Sequence, residues 1–414
     1  MKYKILGSQP LSGLVHISGA KNSALKLLVS AILSDGTLEI LNVPRVGDVL
    51  TFIEILKSLG VSAEFKSDGR LELSASNLNS YKLPEIAKNI KSSILFVGPL
   101  LSKFGKASLP KNPKYKRDFH FNVLKSLGAK VTEKDDRIEF ECASLHSSEI
   151  NFSMNTHTGT DNAILSSVFA EGTSVITNAA EEPEIDDLIA FLNKMGAKVS
   201  RTEKNPRTVM VEGVRSLGKA EYVVMPDRNE TVFYASAAAF TDGSITIKDV
   251  NSGHLTSFLS KLSYVGVNYE VISPSEIRVW SDAEKAFNPT NIEVRPYPGF
   301  MTDWQPFFSV LLTKAVGESV VTDDIFSRFE FARELNRMGA RIEILDSSLK
   351  ISGPVRLKGT VVEALDVISG AALVMAGLGA KGKTDVQNAE LVDSGFENIA
   401  EKLQNMGARI TRTI

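Results

Sequence analysis

One phrase recurs six times along the chain and limits the available folds more than any other feature. Its last copy is Leu403-Gln404-Asn405-Met406-Gly407-Ala408. Earlier copies end in Gly339-Ala340, Gly266-Val267, Gly196-Ala197, Gly128-Ala129 and Gly60-Val61. Each copy runs Leu, two polar-leaning residues, a large residue, Gly and a small residue, and alternating residues follow. An amphipathic helix that ends on a left-handed glycine and passes into a strand is written this way. Successive glycines are 68, 68, 70, 73 and 68 residues apart. Self-similarity at a nearly fixed period marks a chain built from repeated supersecondary units. A second series, Gly36, Gly105, Gly172, Gly243, Gly317 and Gly382, lies 22 to 25 residues before the first. Each of these glycines follows an apolar, helix-like run such as residues 24–33. Every unit therefore predicts helix, glycine turn, strand, loop, helix, glycine cap and two strands.

At 414 residues the chain exceeds one ordinary core, so two domains are expected. A net charge of −2 argues against a dedicated nucleic-acid surface. The single cysteine, Cys142, excludes an internal disulfide framework and a cysteine-based zinc site. It ends the alternating segment Ile138-Glu139-Phe140-Glu141-Cys142, which predicts a buried structural thiol on a strand. No apolar run is long enough to cross a bilayer. Met1-Lys2-Tyr3-Lys4 leads into an alternating segment rather than a signal-peptide core, so a cytoplasmic protein is expected.

Several stretches carry candidate chemistry. Residues 3–18 alternate like a strand pair and end in Ser18-Gly19-Ala20-Lys21-Asn22, just before a helix. Free amides, the helix dipole and an ammonium group converge there, which makes either an anion seat or a solvated cap. Lys91-Ser92-Ser93-Ile94 opens the second unit. The loop from Pro110 to Asp118 carries Lys111, Lys114, Lys116 and Arg117 and is the most basic in the chain. It either closes over a phosphorylated ligand or is an ordinary solvated loop. Thr156-His157-Thr158-Gly159 begins the third unit's helix, with His157 read as a cap-region residue. The acidic residues 181–187 read as a helix first turn, not a metal site. Met225-Pro226-Asp227-Arg228 stands in the fourth unit where residues 18–22 stand in the first. Asp303 falls at a helix start after Pro298-Gly299. Asp366 precedes the first helix of the last unit, and Asp393-Ser394-Gly395 precedes its second.

These residues resemble the enolpyruvyltransferase family, and within it the UDP-N-acetylglucosamine branch. The matching segments are Ser18 to Asn22, Asn42-Val43-Pro44, Gly98-Pro99-Leu100, Glu182-Pro183-Glu184-Ile185, Met225-Pro226-Asp227-Arg228 and Pro298 to Asp303. The shikimate branch fits less well, because its Asn-Ala-Gly-Thr segment is absent. The resemblance implies an α/β fold: a two-domain inside-out barrel of six βαβαββ-like repeats. Residues 21–226 would form one domain and residues 1–20 with 227–414 the other, with the active site in the cleft between them. It implies transfer of the enolpyruvyl group of phosphoenolpyruvate to the 3-hydroxyl of UDP-N-acetylglucosamine. That reaction needs two small-molecule substrates and no cofactor, and a monomer is expected. By resemblance Asp303 is the base or the group that positions the hydroxyl, and Lys21 binds phosphoenolpyruvate. Asn22 binds the sugar nucleotide, and Arg328 and Asp366 complete the pocket floor. His157, Thr158 and Gly159 face the uridine nucleotide. Lys91 and the loop cations Lys114, Lys116 and Arg117 hold anionic groups, and Asp118 matches the Asp that follows the family's loop.

The chain departs from the family where phosphoenolpyruvate is gripped. Its loop is about three residues shorter and has no thiol to act as proton donor. Lys91 replaces an Arg and loses the two-pronged grip. Ile368 and Ser394 replace two further arginines. Each lost charge-assisted contact is worth about 1.5–3 kcal/mol. Three outcomes therefore stand: a rewired transferase, a catalytically lapsed relative that binds a nucleotide sugar or a partner, and transfer to another nucleotide acceptor.

Overall fold

The structure, a computed structural model, describes residues 1–115, 118–282 and 284–413. All six cap glycines take positive φ, from 92° at Gly407 to 107° at Gly196, where an L side chain would be strained. In the second series Gly105, Gly172, Gly317 and Gly382 do the same. At Gly36 and Gly243 the demand is for space instead. A Cβ there would lie 2.8 Å from the Lys219 amide nitrogen and 2.2 Å from the Leu11 carbonyl oxygen. The polar residue after the phrase's leucine also has a task. Asn193 donates to the Val199 carbonyl at 2.7 Å and accepts from its amide at 2.9 Å. Asn336 does the same with Ile342. These side chains fasten each helix end to the strand that follows it.

The chain divides into two compact units, Gly19–Met225 and Met1–Ser18 with Pro226–Ile414. In the first unit the strands Ala220–Val223, Thr37–Leu41, Leu71–Ser74 and Ser62–Phe65 form one sheet in that order. The first pair is parallel and the next two pairs are antiparallel. The same pattern orders Glu149–Asn151, Thr173–Thr177, Asn205–Glu212 and Lys198–Thr202. The unit's third sheet, Lys106–Pro110, Arg137–Glu141 and Lys130–Glu133, has a lone parallel bridge from Lys82 to Ser108 in place of the edge strand. In the second unit the pattern recurs in Ser12–His16, Ser244–Lys248, Glu276–Trp280 and Asn268–Ser273, and again in Ile292–Glu293, Gly317–Thr322, Ser348–Gly353 and Ile342–Ile344. Its last sheet runs Val361–Glu363, Lys383–Gln387, Lys2–Leu6 and Arg409–Thr413.

Each unit has its own core. The helices Lys21–Val29, Gly47–Ser58, His157–Ser167 and Pro183–Met195 bury their apolar faces in the first. Arg228–Phe240, Gln305–Leu312 and Val367–Gly379 are almost wholly buried in the second. There the rings of Phe233, Phe307 and Phe396 meet at steep angles, with centroids 5.3 to 6.4 Å apart.

Three expectations need correction. Lys2–Leu6 and Ser12–His16 do not pair with each other but join different sheets. Cys142 lies one residue past its strand and is only half-buried. Its thiol donates to the Ser144 carbonyl at 2.8 Å, and burial pushes its pKa up. Asp393 closes a short helix, Ala389–Asp393, that the sequence reading did not separate from the loop before Ile399–Asn405.

Candidate active site

In the unit Gly19–Met225, Lys21 is the first residue of the helix Lys21–Val29, whose cap position is Ala20. Its ammonium lies 3.0 Å from the Asp48 carboxylate, and both groups remain partly open to solvent. Asn22 follows it, half-buried. A turn further on, Lys26 is fully buried. Its ammonium donates to Asp161 Oδ1 at 2.7 Å and lies 2.8 Å from His157 Nε2. Burial pushes the Asp161 carboxyl up to about 6, against the pull of Lys26. Ser23, from the same helix, donates to Asp187, and the Tyr222 hydroxyl donates to Asp187 at 2.8 Å. Burial raises the Asp187 carboxyl as well. His157, Thr158 and Gly159 form the first turn of His157–Ser167, and Thr156 caps it by accepting from the Gly159 amide at 3.3 Å.

The basic loop is tied down along its first half. Lys111 pairs with Glu133 at 2.8 Å, Asn112 donates to the Lys88 carbonyl at 2.7 Å, and the Tyr115 hydroxyl donates to the Asn89 carbonyl at 2.8 Å. Lys114 is exposed, and its backbone amide donates to the Asn112 side chain at 3.0 Å. Lys116 and Arg117 lie outside the described residues. Asp118 begins the helix Asp118–Ser126 and is exposed, as is Lys91 at the start of its short helix Lys91–Phe96.

In the other unit, Asp303 sits in the 3-10 turn Thr302–Trp304 that leads into Gln305–Leu312. Arg328 Nη2 is 3.7 Å from Asp303 Oδ1, and Asn229 Nδ2 is 3.4 Å from Asp303 Oδ2. Two of the residues singled out in the sequence are thus brought together, 25 positions apart in the chain (328 − 303). Their joint is Asp323, which is fully buried. It accepts from the Thr302 hydroxyl at 2.7 Å and from the amides of Ile325 and Phe326, each at 3.0 Å. One carboxylate therefore fixes both the turn that carries Asp303 and the loop that carries Arg328. Asp366 does something more local. It caps Val367–Gly379 in a reciprocal capping box with Ser369, as its place before the helix predicts. Ser394 donates to the Leu391 carbonyl at 2.6 Å, and Ile368 packs half-buried against the core. A separate buried group joins Ser18, Glu230 and Lys402. Lys402 donates to Glu230 at 2.6 Å and to Ser18 at 2.7 Å, and burial pushes the Glu230 carboxyl up to about 7.

A family model described as EPSP synthase (3-phosphoshikimate 1-carboxyvinyltransferase) matches residues 5–403. The UDP-N-acetylglucosamine 1-carboxyvinyltransferase of Hydrogenovibrio crunogenus is 38% identical over 419 residues, 99% of each chain. The chain belongs to the enolpyruvyltransferase (carboxyvinyltransferase) family. A UDP-N-acetylglucosamine 1-carboxyvinyltransferase of Chlorobaculum parvum is 39% identical, over 99% of this chain and 98% of the relative. Among solved structures, the enolpyruvyl transferase NikO from Streptomyces tendae superposes with a TM-score of 0.91 at 23% identity, covering 99% of this chain and 98% of the other. EPSP synthase from Acinetobacter baumannii gives 0.79 at 17% identity over the whole of both chains. The fold is therefore the α/β fold of the enolpyruvyltransferases. Among the described residues, no helix is long and apolar enough to cross a membrane.

Three polar residues of this enolpyruvyltransferase escaped the sequence reading: Lys26, Asn229 and Asp323. Lys26 had a signal, as a lone charge in the otherwise buried run Ser23 to Val29. Asn229 directly follows Met225-Pro226-Asp227-Arg228, which marks its place but not its role, and Asp323 carries no mark in the sequence.

Proposed function

We propose that this chain transfers the enolpyruvyl group of phosphoenolpyruvate to the 3-hydroxyl of UDP-N-acetylglucosamine, a step in making peptidoglycan precursors. The supporting observation is near-complete coverage of 1-carboxyvinyltransferases at 37–39% identity. In the reaction the sugar oxygen bonds to C2 of phosphoenolpyruvate, the bond from that carbon to the phosphate oxygen breaks, and the hydroxyl proton ends on phosphate or solvent. A base must take that proton, and an acid must protonate the methylene transiently. Asp303 is the base, with Arg328 beside it to balance developing charge. Lys21 binds phosphoenolpyruvate, and the exchange of its Asp48 pairing for a substrate anion is its binding step. Lys91 and Lys114 add positive charge, with Lys116 and Arg117 in the same role. Asn22, with the first turn at His157, Thr158 and Gly159, meets the nucleotide sugar, whose phosphates suit a helix N-terminus. Asp118 and Asp366 border the substrates. Six βαβαββ-like repeats in two inside-out barrels, a monomeric state and a cytoplasmic location complete the proposal.

One set of observations favours a second reading, a lapsed relative that still binds the nucleotide sugar. Ile368 has no charge to offer, the Ser394 hydroxyl is spent on its own helix, and the loop carries no thiol. Transfer to another nucleotide acceptor remains the third arrangement of the same site.

Calorimetry on wild type and Lys21→Ala tests the assignment. UDP-N-acetylglucosamine should bind wild type by itself, and phosphoenolpyruvate should bind weakly. Lys21→Ala should abolish the phosphoenolpyruvate heat and leave nucleotide-sugar affinity within about twofold, since one charge-assisted contact carries about ten- to hundredfold. Tight phosphoenolpyruvate binding with no response to the nucleotide sugar would reverse the assignment.

A further inference from the structure

We infer that Asn229 is a positioning residue for Asp303, and that Trp304 sets the direction of its amide. This rests on the reading of Asp303 as the base. Asn229 is the second residue of Arg228–Phe240, and its backbone amide is held by the cap residue Asp227 at 2.8 Å. Its side chain is almost fully buried. The Trp304 indole N–H donates to Asn229 Oδ1 at 2.8 Å. Indole nitrogen is only a donor, so that contact fixes which end of the amide is oxygen. The NH2 end is then obliged to point at Asp303, where it lies 3.4 Å from Oδ2.

Asp303 and Trp304 are neighbours in one 3-10 turn, so this turn holds the amide at both ends. Trp304 cannot shift without the amide: its ring is fully buried and packs edge-on against Phe300 and Phe258. Arg228 covers it, with its guanidinium 5.8 Å from the Trp304 ring and 5.1 Å from the Tyr297 ring. The amide is thus anchored on a rigid aromatic wall and presents one N–H to the carboxylate. Asp303 Oδ2 is held from the helix side by this N–H, while Oδ1 faces Arg328 at 3.7 Å. A carboxylate oxygen accepts more than one hydrogen bond, so a clamped Asp303 still has a lone pair for a substrate hydroxyl. A base must be held in reach of the proton it removes, and small misplacements are costly.

The test uses wild type, Asn229→Asp, Asp303→Asn and the double variant, with phosphate release and nucleotide-sugar affinity as readouts. Asn229→Asp keeps the shape and the acceptor for Trp304 but replaces the donor to Asp303 with a carboxylate oxygen, so the clamp on Oδ2 becomes a repulsion. It should lower kcat about tenfold or more while the KM for phosphoenolpyruvate moves less than about twofold, as expected for a contact that aligns the base. In the Asp303→Asn background the same change should cost less than about twofold, because the residue it acts through is gone. Trp304→Phe keeps the ring but frees the amide to turn, and should lower kcat severalfold. An unchanged far-ultraviolet circular dichroism spectrum and a single cooperative melt in Asn229→Asp certify the fold. A penalty for Asn229→Asp that is equal in both backgrounds, or absent, overturns the positioning role. Full turnover in Asp303→Asn instead overturns the reading of Asp303 as the base.

Discussion

At the scale of single residues, burial distinguishes Asp303, the proposed base, from charged groups that hold the fold. Asp303 remains partly open, with Arg328 and Asn229 beside its carboxylate, which suits the proposed role of base. Asp303→Asn should cut transfer about 10²- to 10⁴-fold, the usual worth of a general base, and leave the melting temperature within about 2 °C. Single-turnover kinetics and calorimetric melting check both halves. Glu230 is the opposite case. Its carboxyl is fully buried against Lys402 and raised from 4.5 to about 7. A raised carboxyl binds its proton more tightly in the folded state than in the unfolded chain. Its contribution to stability is therefore complete below about pH 4.5 and is lost as pH rises through 7. Glu230→Gln removes this dependence. Between about pH 5 and about pH 7.5 wild type should lose about 1–3 kcal/mol more stability than the variant, measured by urea melts. An equal slope in the two proteins would contradict it.

At the scale of elements, the helix endings were legible because they are local. Leu, Gly and a small residue at fixed spacing specify a cap whatever the neighbours are, and all six cap glycines are left-handed. Asp366 was legible as a residue just before a helix, and the structure makes it the cap. The function of such a residue is harder to read, because one carboxylate can cap a helix and also meet a ligand. Asp366→Ser separates the two, since Ser caps about as well as Asp. It should keep stability within about 0.5 kcal/mol, whereas Asp366→Ala should lose about 1 kcal/mol. If Asp366 borders the substrates, both variants lose affinity alike in calorimetry; if it only caps, neither does. Partners across long stretches of chain were not legible. Lys26 meets Asp161 135 positions away, and Asn229 meets Asp303 74 positions away. Asp323 carries the same lesson. Asp323→Ala should leave the Ile325 and Phe326 amides and the Thr302 hydroxyl without their acceptor, costing about 2–4 kcal/mol. Turnover should fall with it, because the turn at Asp303 and the loop at Arg328 lose their common tie.

At the scale of the whole molecule, the period and the Gly19 and Pro226 crossings divide the chain into two units with separate cores. Gly19–Met225 is continuous in sequence and closes its own sheets, since Ala220–Val223 returns to pair with Thr37–Leu41. Expressed alone, residues 19–225 should melt in one cooperative transition. Residues 226–414 alone should not, because Lys2–Leu6 is a central strand of its last sheet and Ser12–His16 an edge strand of another. The sequence could not have shown where those two strands go, since alternation marks a strand and not its partner. The same limit applies to the chemistry. The letters show Lys91, Ile368, Ser394 and a loop without a thiol, but which side chains stand near one another is a matter of placement. The decisive measurement is phosphate release from phosphoenolpyruvate, followed with and without UDP-N-acetylglucosamine and paired with mass analysis of the sugar nucleotide. The account predicts release that depends on the nucleotide sugar, falls about 10²- to 10⁴-fold in Asp303→Asn, and yields a product heavier by one enolpyruvyl group. Calorimetric binding of the nucleotide sugar with no phosphate release at any phosphoenolpyruvate concentration would contradict it and leave a binding protein built on an enzyme's fold.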